Sequence, residues 1–362
     1  MLNRRQVISS LLALSAFPSA SWSDVGNPEY LSTLKNASGD FFLKGFSSNG
    51  TVVFSIPLPA RGHAVVAHPS KPKAVVFARR PGNYAMVLNC CDGSILQRLE
   101  APLGSHFYGH GTFLDSGKTL CTTENNYSTG RGRIGFWDAE RGYQRLYDID
   151  SGGVGPHQLL SLKDQKTLVV ANGGIRTHPK HGRKKLNLDI MRSNLTYLTP
   201  EGDFLGKLEI EEKFHHLSIR HLDINDNDQV IFAMQWEGKQ NYYGPLVGMH
   251  IIGGVCRYIE APEPEQIKMK AYTGSICYNS NGDRFAISSP RGGRVQIFSG
   301  TGDFLRGWSN IDVSGLAPLK EGFMITTGNG RIAKLSVMEE MVISQSTLHW
   351  DNHLLRLRKS SC

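Results

Sequence analysis

The chain has 362 residues, with 40 Lys and Arg against 32 Asp and Glu, a formal net charge of +8 and 40% hydrophobic residues. That length leaves ample chain for a buried core, and 39 glycines suit many short strands joined by tight turns. Six cysteines without a C-x-x-C spacing read as free or core thiols rather than a zinc knuckle.

Residues 1–23 read as an export signal: Arg4-Arg5, an apolar run over 11–17, then small residues over 19–23. The arginine pair followed by Ile8 is similar to a twin-arginine signal, with an ordinary secretory signal as the alternative. Either route leads to the periplasm and leaves 24–362 as a single domain. Export argues against nucleic acid as the partner of this basic chain. No later window is long and apolar enough to span a bilayer, and a monomer is expected.

From residue 63 onward one unit recurs at intervals of 40 to 64 residues, most of them close to the length of a four-stranded propeller blade. Its first strand and turn appear at His63, His110, His157, His221, Ser275 and Gly315. Third strands follow at 84–89, 133–138, 195–200, 246–251, 294–299 and 331–336. Short β-rich runs separated by Asp, Gly, Ser and Asn are consecutive antiparallel strands. Residues 352–357 look like a seventh first strand without its partners, and residues 30–57 look like three strands lacking a first. The predicted fold is therefore all-β, a seven-bladed β-propeller whose last blade is closed by strands from both termini, with six blades as the fallback. Closing the ring removes the open sheet edges.

The third unit is stretched by a basic loop over 173–194, carrying Arg176, Lys180, Arg183, Lys184, Lys185 and Arg192 against Asp189. It is either a binding loop or a solvated basic surface.

In a four-stranded meander, the loops entering first strands and those between second and third strands emerge at one end. His63, His110, His157, His221 and His353 occupy one repeat position in five of the seven blades, so they would ring the channel mouth. Imidazole suits copper, iron, zinc and nickel, and a ring of imidazoles holds an ion without a local spacing motif. The competing reading is a set of histidines that stiffens the channel by hydrogen bonding. The same end gathers Arg61, Arg79, Arg220, Glu124, Asn172, Gln235, Arg176 and His178 as candidate ligand-binding residues, a cationic rim that attracts an anionic small ligand or an acidic partner. Gly130-x-Gly132-x-x-Gly135 and Gly328-x-Gly330-x-x-Ala333 satisfy the dinucleotide pattern but lead into strands, so they read as turns. His68-Pro69 falls at a turn on the opposite face and reads as structural.

The segments FYGHGTF, TTENNYSTGRGRIGFWD, VGPHQL, LVVANGGIRTHPKHGRKKLNL and LSIRHL resemble domain of unknown function 1513, an uncharacterised family of exported bacterial propellers. The resemblance covers nearly the whole mature chain and implies a periplasmic propeller. Its genes tend to lie near imelysin-like iron-regulated and haem peroxidase-like proteins, which implies a role in iron or metal handling. A more distant similarity is to the propeller of nitrous-oxide reductase, where a histidine ring holds a copper cluster. This chain has Ser275 and Gly315 at two ring positions and no cupredoxin domain, so reductase activity is not implied.

Three functions are consistent with these features. The first is a periplasmic metal-handling propeller with His63, His110, His157, His221 and His353 as ligands of copper, iron or zinc. The second is a non-catalytic docking scaffold for an acidic or haem-bearing redox or iron-handling protein. The third is a metal-dependent redox or lactonase-like enzyme, which the shortage of rim acids disfavours.

Overall fold

The computed structural model describes residues 20–78, 84–182, 184–239 and 241–357. They form seven four-stranded antiparallel sheets. The innermost strands are, in chain order, Gly62–Ala67, Ser105–Leu114, Pro156–Ser161, Leu217–Ile224, Ser275–Tyr278, Val313–Pro318 and His349–Arg356; their sheets are blades 1 to 7. Each inner strand touches the next, and the seventh touches the first, so the ring is closed.

Blades 1 to 6 are consecutive meanders. Blade 7 takes His349–Arg356 from the C-terminal end and Tyr30–Lys35, Phe41–Phe46 and Val52–Leu58 from the N-terminal end. The seam is an antiparallel ladder that pairs Leu31 with Leu355 and Tyr30 with Arg356. Without it the Tyr30–Lys35 edge would be unpaired, although the first five of its six residues are buried.

The strand sequences follow their position in the blade. Second strands lie between neighbours on both sides and between blades on both faces, so they read as unbroken apolar runs. All of Leu168–Asn172 is buried. Outer strands face water: Ile95–Glu100 buries only Leu99, and its Gln97, Arg98 and Glu100 keep that edge soluble. The core accordingly lies between blades rather than within one; Val169 and Tyr197 of blade 3 cluster with Leu217, Ile219 and Phe232 of blade 4.

Both Gly-x-Gly segments do lead into strands, Gly132–Asp138 and Arg331–Leu335. The five described cysteines are free, with Cys90, Cys121 and Cys277 buried. Trp22 packs against the core of blades 1 and 7, and its indole N–H donates to the His68 carbonyl at 3.0 Å. His68 is itself structural. Its Nδ1 accepts from the backbone N–H groups of Ser70 and Lys71 at 3.2 and 3.0 Å, shaping the first turn of blade 1. No helix among the described residues is long and apolar enough to cross a membrane.

Candidate metal centre

A regular antiparallel strand alternates its side chains, so neighbouring blades present their repeat positions to the channel only if the local backbone allows it. Here a β-bulge interrupts the inner strand of every histidine-bearing blade. The register slips between Gly62 and Val65, Phe107 and Gly111, Pro156 and Gln158, and Ile219 and His221. In blade 7 it slips between Trp350 and Leu354, on the strand that carries His353. A bulge bends the strand and re-aims a side chain, and these five send their imidazoles to one point.

His63, His110, His157, His221 and His353 thus form one cluster in the channel. Ring centroids are 4.7 Å apart for His63–His353 and His110–His157, 4.8 Å for His110–His353 and His157–His221, 4.9 Å for His221–His353 and 5.1 Å for His63–His110. Two triads are geometrically suited to an ion, His63/His110/His353 and His110/His157/His221, with ligand nitrogens within 4.8 Å of one another in each. Two metal–nitrogen bonds of about 2.1 Å span at most about 4.2 Å, so a small inward rotation of the rings completes either set. His110 belongs to both triads.

His110 and His221 are each 5% exposed. Burial first, and then the neighbouring imidazoles, holds His110, His157 and His221 well below the usual histidine value. They are neutral at pH 7, the form that ligates metals. The His110 Nε2 and the His157 Nδ1 are buried without a hydrogen-bond partner. The His221 Nδ1 meets the Gln158 Oε1 at 3.2 Å.

The cluster plugs the channel. On one side His63, His157 and His221 floor a cavity of about 160 Å³. On the other, His110, His221 and His353 face a wider one of about 720 Å³. The smaller cavity is walled by Arg220, Lys185, Arg291, Glu237, Tyr108 and Thr177. These residues come from first-strand entries and from loops between second and third strands, the two kinds expected at the mouth.

The other candidates divide. Arg220 and Gln235 line the small cavity; the Gln235 Nε2 donates to the Thr273 carbonyl at 2.7 Å. Arg61 is paired with the buried Asp351. Glu124 and Asn172 are structural members of their sheets. The Glu124 carboxylate is 1% exposed and accepts from Arg145 at 2.7 and 2.9 Å. The Asn172 amide joins the Ser151 carbonyl and Asn194. Arg176 is exposed, and the His178 ring packs edge-on against Tyr127 at 5.0 Å; neither lines the cavity. Arg79 lies outside the described residues. Lys185 stands in the basic loop over 173–194, Glu237 lies two residues past Gln235 and Arg291 lies between the second and third strands of blade 5, whereas nothing in the sequence marks Gln158 beyond its place after His157.

Solved structures with the same architecture include hydrazine synthase of Kuenenia stuttgartiensis (TM-score 0.59, 11% identity, 92% of this chain and 98% of that one). BamB of Moraxella catarrhalis (0.53, 13%, 87% and 82%) and a protein of unknown function from Bacteroides caccae (0.50, 10%, 92% and 100%) are also similar. At such identities they establish the propeller fold alone. No curated protein matches the sequence. The model of the family described as "Protein of unknown function (DUF1513)" matches residues 56–357, and the chain belongs to that family.

Proposed function

We propose that this protein is a periplasmic metal-binding propeller whose centre is the five-histidine cluster, loaded with a transition metal of the copper, iron or zinc type. The observation that carries the reading is the convergence of neutral imidazoles with buried, unpartnered nitrogens at His110 and His157. An unsatisfied buried polar atom costs about 1–3 kcal/mol, and five rings packed to plug a channel could be replaced at lower cost by apolar side chains. A metal ion satisfies the nitrogens together. The donor set is all imidazole, which suits copper, zinc, iron or nickel and disfavours calcium or magnesium.

Export rests on the Arg4-Arg5 signal, and a cationic rim lets the centre receive an anionic ligand or an acidic periplasmic partner. A docking role draws on one further feature: the loop over 173–194 exposes Ile190 (76%) and Leu186 (42%) among its lysines and arginines.

The test is elemental analysis of untagged protein from its native compartment, purified without chelator. Near-stoichiometric copper, iron or zinc is expected, falling below a tenth of that in the double variant His110→Ala, His157→Ala. Metal retained in full by that variant sinks the proposal.

A further inference from the structure

The small cavity above the histidine floor carries charge that its own walls do not balance. Among the described residues three cations line it, Arg220, Lys185 and Arg291, against the single acid Glu237. Glu237 is already shared: it accepts from the Arg220 Nη2 at 3.2 Å and pairs with Lys185 as well. Arg220 is 7% exposed, and its Nε is buried without an acceptor. Arg291 is exposed at the entrance, its guanidinium held 4.1 Å over the Tyr272 ring. The floor adds no compensating negative charge, because an imidazole carries none, and among the described residues no acid lines the cavity besides Glu237. A guanidinium withdrawn from water with an unmade hydrogen bond and half a counterion is costly unless something anionic completes it.

The volume limits what that anion is. A cavity of about 150 Å³ holds a benzene-sized molecule, about six non-hydrogen atoms, and this one measures about 160 Å³. Nucleotides and siderophore-sized chelates are excluded. Arginine and lysine donors favour oxygen acceptors with delocalised charge.

We infer that this cavity is a receptor for one small oxyanion, a short carboxylate or an inorganic oxyanion, held by Arg220, Lys185 and Arg291 directly over the His63/His157/His221 floor. Binding of the anion is a property of the cavity walls. Its role as a ligand presented to a metal rests on the metal-centre reading above. The wide cavity on the opposite side, which reaches His110 and His353, leaves the metal a separate approach.

The experiment is calorimetric titration of the chelator-stripped full-length mature protein with formate and, separately, inorganic phosphate at low ionic strength, with citrate as an oversized comparator. Saturable one-to-one binding of formate, phosphate or both is expected, the better of the two identifying the carboxylate or the inorganic class, and citrate should bind at least tenfold more weakly. Arg220→Gln should weaken the anion at least tenfold and Arg291→Ala about threefold; the latter removes only an exposed side chain and should leave the fold intact. The pair His110→Ala, His353→Ala, which does not line the cavity, should lose metal and keep the anion, so failure of the metal reading leaves this proposal standing, and the reverse. Binding that appears only after metal is restored, that ignores both arginine substitutions, or that favours citrate overturns the inference, as does the absence of saturable binding.

Discussion

The His221 Nδ1 and the Gln158 Oε1 are 3.2 Å apart across the boundary between blades 3 and 4, and the partner of that contact is fixed by its own neighbours. The Gln158 Oε1 accepts from the Leu222 backbone N–H at 3.2 Å, while its Nε2 donates to the Leu222 carbonyl at 3.3 Å. The amide therefore has one orientation, its oxygen toward His221. His221 must be the donor at Nδ1, which leaves the Nε2 lone pair for the cluster.

Gln158→Leu should weaken metal binding about 10- to 100-fold, the usual loss when the group orienting a ligating histidine is removed. Gln158→Glu retains an acceptor at the same place and should stay near wild type. Competition against a chromogenic chelator separates the two variants.

Metal-free protein should lose stability on acidification below pH 6.5. The folded values of His110, His157 and His221 lie below the ordinary 6.5. The His68 value is pushed down to about 4 by burial and then by Lys71 and Lys73. In that window the unfolded chain binds protons that the folded chain refuses, so stability is flat above pH 6.5 and falls as pH drops toward the folded values. His68 alone accounts for a loss of about 1–2 kcal/mol between pH 6.5 and 5, and the three cluster histidines add to it in the same direction. Urea unfolding at pH 7.5, 6.5 and 5 measures it; a flat profile would show that the rings accept protons in place. Metal affinity should fall over the same range, since protons compete for the same nitrogens.

Gly109→Ala should damage both fold and cluster. Gly109 has φ of +103°, and a Cβ there would stand 2.6 Å from the Cδ2 of His63. The backbone strain alone costs about 1–3 kcal/mol, and relief of the clash pushes His63 off the cluster. A lowered Tm together with reduced metal content is the expected pair of readings.

Arg145→Met should destabilise without touching the metal. It strips the bidentate partner from the Glu124 carboxylate, whose pKa burial already raises against the opposing pull of Arg145. An uncompensated buried charge of this kind costs about 3–5 kcal/mol. Denaturant unfolding should show that loss, with metal content per folded molecule unchanged; a parallel loss of metal would return Glu124 to the site.

The sequence by itself determined the architecture. Strand identity follows from runs of five or six residues and the turns between them, and both are local; hence the blades, the seventh assembled from the two ends, and the recurrence of histidine at the head of five inner strands were legible in the chain. Tertiary structure decided where those side chains point. Side chains alternate along a strand, so one inserted residue reverses a face, and the bulges at His63, His110, His157, His353 and next to His221 depend on packing against the adjoining blade. The same limit applies to Glu124. Its strand runs on to Asn126, two residues past Glu124, and Glu124 pairs in register with Arg133, so it belongs to the sheet rather than the rim. Gln158 shows it most plainly, because its role comes from Leu222 and His221 in another blade, and no pattern in its own strand encodes that contact.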